Sequence, residues 1–194
     1  MSAVAVIAAG CGSERPAARV AGTPIAKERV EAILEHASEE AKHEGRVFAA
    51  NGSPAYRQAR RAAIELLVYH EELSQKARAL GITVTDAEIE ARVGQQEDAE
   101  GKGFAEESLR AVLLYQRLYR RVTSDIRVTR AEVAAYYRRR ATLYLRRGLS
   151  LAEARAEILS DLLTTRRTAA MSAWIERMRR EFAPEVSYGK EAAS

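Results

Sequence analysis

The sequence predicts a mainly α protein of about six helices, closed by a short β pairing between its N- and C-terminal strands. Three observations carry that prediction. Breakers are rare, with 11 Gly and 4 Pro in 194 residues, against an abundance of Ala, Glu, Arg and Leu, which favour helix. Three capping boxes, Thr85-Asp86-Ala87-Glu88, Thr129-Arg130-Ala131-Glu132 and Ser150-Leu151-Ala152-Glu153, each open an apolar-periodic segment. In such a box the hydroxyl accepts from the third helical N–H while the Glu reaches back to the cap N–H. Short strand-like stretches, Arg19-Val20-Ala21-Gly22-Thr23-Pro24-Ile25 and Glu185-Val186-Ser187-Tyr188, stand at the two ends.

In chain order, residues 12–18 read as a tether and 20–25 as one strand. A helix over 26–44 follows, with Val30, Ile33, Leu34 and Ala37 on one face and Gly45 as its stop. After a loop over 45–53, Ser53-Pro54 supplies a capping hydroxyl and then proline at the first helical position. The helix over 54–80 is the strongest element. It carries Ala59, Ala63, Leu66, Leu67, Leu73 and Ala77, and Gly81 ends it. Helices over 86–99 and 106–124 are joined by a Gly101-Lys102-Gly103-Phe104 loop. The second of them points Leu109, Val112, Leu113, Leu118 and Val122 inward. The remaining two boxes open a short helix after Thr129 and a long one over 150–182. The chain thus divides into residues 1–18, a signal and tether, and a single helical domain over 19–189. Its long last helix is expected to pack back on the N-terminal helices.

Hydrophobic residues make up 47% and charged residues 30%, the balance of a folded chain rather than a disordered one. The net charge is only +4, but it is unevenly placed. Residues 106–147 hold eleven arginines against four acids, whereas 28–44 are rich in Glu. That asymmetry suits an anionic partner or a solvated cationic face. The single cysteine excludes an internal disulfide.

Several stretches resemble the helical chaperone module of the SurA and PrsA-type exported foldases. Ala62-Ala63-Ile64-Glu65-Leu66-Leu67-Val68-Tyr69, then Glu72-Leu73, Ala77 and Leu80-Gly81-Ile82-Thr83-Val84-Thr85-Asp86-Ala87-Glu88-Ile89 is similar in order and spacing to that family's pattern. The pattern is an LI-x-x-x-L-L-x-x-x-A helix followed by LGI-x-V-(S/T)-D-x-E-(V/I). Val128-Thr129-Arg130-Ala131-Glu132-Val133-Ala134-Ala135-Tyr136-Tyr137 resembles the family's V-T-x-x-E-V-x-x-Y-Y, which usually precedes a parvulin isomerase domain. Here only residues 138–149 separate it from the last capping box. The resemblance, taken over 19–189, therefore implies a SurA-type module whose isomerase insert is absent. It implies an exported chaperone that binds unfolded polypeptides and catalyses nothing.

The apolar run Ala3-Val4-Ala5-Val6-Ile7-Ala8-Ala9-Gly10 is too short to span a bilayer but has the length of a signal's apolar region. Ala8-Ala9-Gly10-Cys11 resembles the bacterial lipobox, although Ala8 replaces the usual Leu and no basic residue precedes the run. By that resemblance Cys11 is a lipidation site and the protein is extracytoplasmic and membrane-anchored.

No catalytic residue and no cofactor are expected. His36 and His43 lie seven apart without an i, i+4 partner, so no metal site is expected. His70-Glu71-Glu72 is not a zinc-protease motif, because Ser74 stands where the second His belongs. Gly-rich phosphate loops and nucleophile elbows are missing. Candidate client contacts are Leu113, Tyr115, Tyr119, Tyr136 and Tyr137, in apolar patches rimmed by Arg. Adjacent Tyr136 and Tyr137 point in different directions, so one is expected buried and the other exposed. Trp174 is expected in the core. The alternatives are a docking protein for one envelope partner and a family member with residual isomerase activity. The arginines also fit a nucleic-acid binder, but only in the cytosol, so no nucleic acid is expected.

Overall fold

The computed structural model describes residues 15–93 and 99–189. The elements run β1 (Ala18–Val20), β2 (Thr23–Ile25), α1 (Lys27–His43), α2 (Pro54–Ala79), α3 (Asp86–Val93), α4 (Ala99–Val122), α5 (Arg130–Arg139), α6 (Ala141–Arg146), α7 (Leu151–Phe182), a 3₁₀ turn (Ala183–Glu185) and β3 (Val186–Tyr188). The fold is mainly α, with seven helices among the described residues rather than about six.

The two ends of the described chain do pair. The sheet order is β2-β1-β3, both pairings are antiparallel, and Val20 faces Val186 while Ala18 faces Tyr188. The single strand expected over 20–25 is instead the end of β1, a two-residue turn and β2. Ala21 and Gly22 take positive φ of 44° and 83°, which is the twist a two-residue hairpin turn needs. The extra helix is α6. It is too short to show a periodicity, and it forms because Tyr144 turns inward, 2% exposed. The Gly101–Phe104 loop is also corrected, since α4 runs through it from Ala99. The cost of its glycines, about 1 kcal/mol each in a helix interior, is outweighed by the long apolar-periodic run behind them.

Local signals act as the residue types require. Ser53 accepts from the Tyr56 N–H at 3.1 Å, with Pro54 at the first helical position. All three capping boxes are made: the Thr85, Thr129 and Ser150 N–H groups donate to Glu88, Glu132 and Glu153 at 3.0, 2.7 and 2.7 Å. At the end of α2, Gly81 takes φ 69°. Its N–H meets the Arg78 carbonyl at 3.0 Å, and the Ile82 N–H meets that of Ala77 at 2.8 Å. These two bonds satisfy carbonyls that would otherwise end the helix unpaired.

Two apolar clusters result. The larger joins the sheet, α1, α2, α4 and the C-terminal half of α7, through Val20, Ile25, Val30, Leu67, Leu118 and Met178 among others. α2 is its hub, contacting α1, α4, α7 and β1. The smaller holds Val133, Tyr144, Ala154 and Ile158, with Tyr136, Tyr137 and Leu162 partly buried against it. α7, about 48 Å long from its 32 residues, belongs to both. Its first turns pack with α5 and its last ones with α2 and α4. Trp174 packs, partly buried, on the larger cluster. Leu66 and Val112 were expected inward but are 40% and 51% exposed. On α4, Leu118 is buried as expected, and Leu114 takes a buried place instead of Val112.

Candidate functional site

The outward face of α4 carries an apolar stripe. Val112, Tyr115 and Tyr119 follow at spacings of three and four, which places them on one side of the helix. Val112 is 51% and Tyr115 38% exposed, while Tyr119 is half-buried. The two rings are 6.4 Å apart between centroids. With Gln116 and Arg120 they line a shallow depression of about 390 Å³. Leu113 is half-buried and does not share this stripe.

Tyr136 and Tyr137 belong to the second cluster, so the five candidate contacts fall into two groups. Neither tyrosine is fully buried and neither fully exposed, against the expectation of one of each. Tyr137 stacks on Tyr144, and its hydroxyl donates to the Leu149 carbonyl at 2.8 Å. Tyr136 carries the Arg140 guanidinium over its ring at 4.7 Å, within the range of a cation–π contact. What these two side chains can offer a ligand is therefore limited by what they already hold.

The arginines of the 106–147 segment divide by role. Arg110 pairs with Asp86 and donates to the Val84 carbonyl at 2.9 Å. Arg117 reaches both Glu88 and the Thr83 carbonyl, so the two together hold α3 on α4. Arg147 makes a two-pronged contact with Glu157 at 2.8 and 2.9 Å. From α7, Arg166 joins Glu132 and the Arg127 carbonyl. That contact, with the Thr129 cap behind it, holds the Glu132 carboxyl down at about 2. Among the described residues, Arg120, Arg121, Arg130, Arg138, Arg139 and Arg146 are exposed and form no ion pair. A cationic surface remains after the structural pairs are subtracted.

The acidic face of α1 borders a groove of about 460 Å³, where Glu31, Glu35, Phe48 and Tyr56 meet. No group of three His, Cys, Asp or Glu among the described residues is placed to hold a metal. None of the described helices is long and apolar enough to cross a membrane. Cys11 lies outside the described residues. Residues 140–150, between α5 and α7, hold only α6 and its flanks, and no parvulin-sized segment is inserted there.

The described residues form a helical body whose first and last strands pair, with Val112, Tyr115 and Tyr119 along one side of α4. Residues 3–127 match the family model described as the SurA-like N-terminal domain, more than half of the chain. The chain belongs to that family, a chaperone-type one. The match ends in the loop before α5 and includes no isomerase domain. No curated protein and no solved structure gives a significant match.

Proposed function

We propose that this chain is an exported, lipid-anchored chaperone that binds unfolded or partly folded polypeptides without isomerase catalysis. The observation that carries this reading is the Val112-Tyr115-Tyr119 stripe on α4, exposed at Val112 and Tyr115 and half-buried at Tyr119, within the residues that match the family. Tyrosine offers large contact area at one end and a hydrogen-bonding tip at the other, which suits many client sequences. Covering exposed client surface lowers the population free to aggregate. The unpaired arginines support a second contact, with the anionic membrane surface to which an acylated Cys11 would tether the chain. Each such cation contributes about 1 kcal/mol there.

The test is aggregation of a reduced, unfolded model protein with the chain in several-fold excess. Suppression is expected, and it should fall when Val112, Tyr115 and Tyr119 are all replaced by Ser. No suppression, together with one discrete complex on co-purification, would favour a docking protein instead. Mass spectrometry of the mature N-terminus from membrane fractions tests the anchor. An acylated Cys11 is expected, and an intact Met1 in the cytosol overturns it.

A further inference from the structure

Glu72 lies on α2 among the best-packed residues of the body and is 4% exposed. Among the described residues no hydrogen bond or ion pair reaches its carboxylate. Its carboxylate opens onto a cavity rather than being sealed in the core, and desolvation pushes the carboxyl up against the opposing field of Arg179. Its neighbours show where a partner would come from. Glu65, Val68, Tyr69 and Glu72 form one stripe of α2 and make one wall of a cavity of about 360 Å³. Arg179, Val186 and Tyr188 make the other. The volume is within the range of small-ligand pockets. Two carboxylates oppose one guanidinium, and that guanidinium sits 5.0 Å over the Tyr69 ring rather than against Glu72. The Tyr69 wall also adjoins the α4 stripe. Burial, and after it the nearby Tyr115, pushes the Tyr69 hydroxyl up.

We propose that this cavity is a subsite for a lysine or arginine side chain of the bound polypeptide, with its charged head on Glu72 and its aliphatic stem between Tyr69 and Tyr188. The proposal deepens the chaperone reading and rests on it. Carboxylates attract the head, aromatic faces attract cations, and long basic side chains bury their stems along apolar surface while the charge finds its partner. Arg179 on Tyr69 is an internal occupant of the same chemistry. The site would make the protein prefer client segments in which a basic residue interrupts an apolar run.

The experiment measures the affinity of the full chain for two short unstructured peptides rich in Leu and Tyr, identical except for a central lysine or norleucine. The lysine peptide should bind about tenfold tighter at neutral pH, the scale of one charge-assisted hydrogen bond. Glu72→Gln should abolish that preference without weakening the norleucine peptide, and Arg179→Gln should strengthen the lysine peptide. Tyr188, 54% exposed on β3, gives a second variant that spares the core, and Tyr188→Ala should reduce the same preference. The preference should also shrink in acid as Glu72 takes up a proton, with Glu65 and Arg179 the other charged groups facing it. Equal affinity for the two peptides overturns the subsite, and aggregation suppression that persists in that case leaves the chaperone reading intact. Absence of both peptide binding and suppression overturns the two together.

Discussion

Tyr137 lies flat on Tyr144, with ring centroids 5.3 Å apart and planes 20° from parallel. The same Tyr137 hydroxyl donates to the Leu149 carbonyl at 2.8 Å, just before the Ser150 cap of α7. One side chain thus ties α5, α6 and the start of α7 together. Among the described residues the cluster it closes has four buried members, Val133, Tyr144, Ala154 and Ile158, joined at its rim by the Arg147–Glu157 and Arg166–Glu132 pairs. Tyr137→Phe should cost about 1 kcal/mol, the worth of the hydrogen bond. Tyr137→Ala should cost about 3 kcal/mol and release α5 and α6 before the main body. Amide exchange measured helix by helix checks this, with faster exchange expected over 130–149 and unchanged protection over α2.

The turn between β1 and β2 stores strain at Ala21. Its φ of 44° is left-handed, a conformation that costs a residue with a Cβ about 1–2 kcal/mol. Its N–H nevertheless donates to the Glu185 carbonyl at 3.0 Å, so the turn also positions the entry to β3. Asn tolerates such angles and is favoured in this kind of hairpin. Ala21→Asn should therefore stabilise the protein by about 1 kcal/mol, whereas Gly22→Ala, at φ 83°, should destabilise it by a similar amount. Thermal unfolding of the two variants beside the parent decides it.

These cases show what a linear reading can and cannot see. Ser53-Pro54, Gly81 and the three capping boxes were legible because each is satisfied by residues within a few positions. The hairpin was not, because Ala-Gly lacks the Asn-Gly signature and only the return of β3 makes the pair necessary. α6 was hidden by its length, and its cause is the burial of Tyr144 against a helix opened by a separate box. Tyr115 and Tyr119 could have faced either way, since α4 had more apolar residues than one buried face needs; Tyr115 is exposed and Tyr119 packs partly buried on the larger cluster. Val112 was assigned to the wrong side because the drift of the helical stripe favours Leu114. Glu72 could not have been found. A glutamate mid-helix reads as solvent-facing, and it is buried by packing against elements distant in sequence.

Gly189 shows the closure of the chain by a close approach. Its N–H donates to the Ala17 carbonyl at 2.8 Å, extending the pairing of β1 and β3. A Cβ built there would sit 2.8 Å from the Pro16 carbonyl oxygen and 3.2 Å from that of Ala17. Both obstacles are backbone, so neither can swing aside. Gly189→Ala should destabilise the body by about 1–3 kcal/mol. Gly103→Ala is the control, because nothing lies within 4 Å of a Cβ there, and helix propensity predicts a gain of about 1 kcal/mol. Urea unfolding of both variants should move their midpoints in opposite directions.

The contact between Glu132 and Arg166 sets how the α5–α7 junction responds to acid. The Arg166 guanidinium first, and the Thr129 cap second, hold the Glu132 carboxyl at about 2 instead of its ordinary 4.5. A carboxyl depressed in the folded state adds stability that is fully present above its unfolded pKa and is lost as pH falls through the folded one. The contribution should therefore persist at neutral pH and disappear between about pH 4.5 and pH 2. Glu153, depressed by its Ser150 cap at the start of α7, should titrate with the same sign. Glu132→Gln removes the dependence at its source, since an amide keeps a weak acceptor but has nothing to titrate in this range. Carboxyl resonances followed by NMR should show Glu132 titrating near pH 2 in the parent. An ordinary value near 4.5 would mean that Arg166 does not hold α5 to α7 in solution, and the stability of Glu132→Gln would then match the parent at every pH.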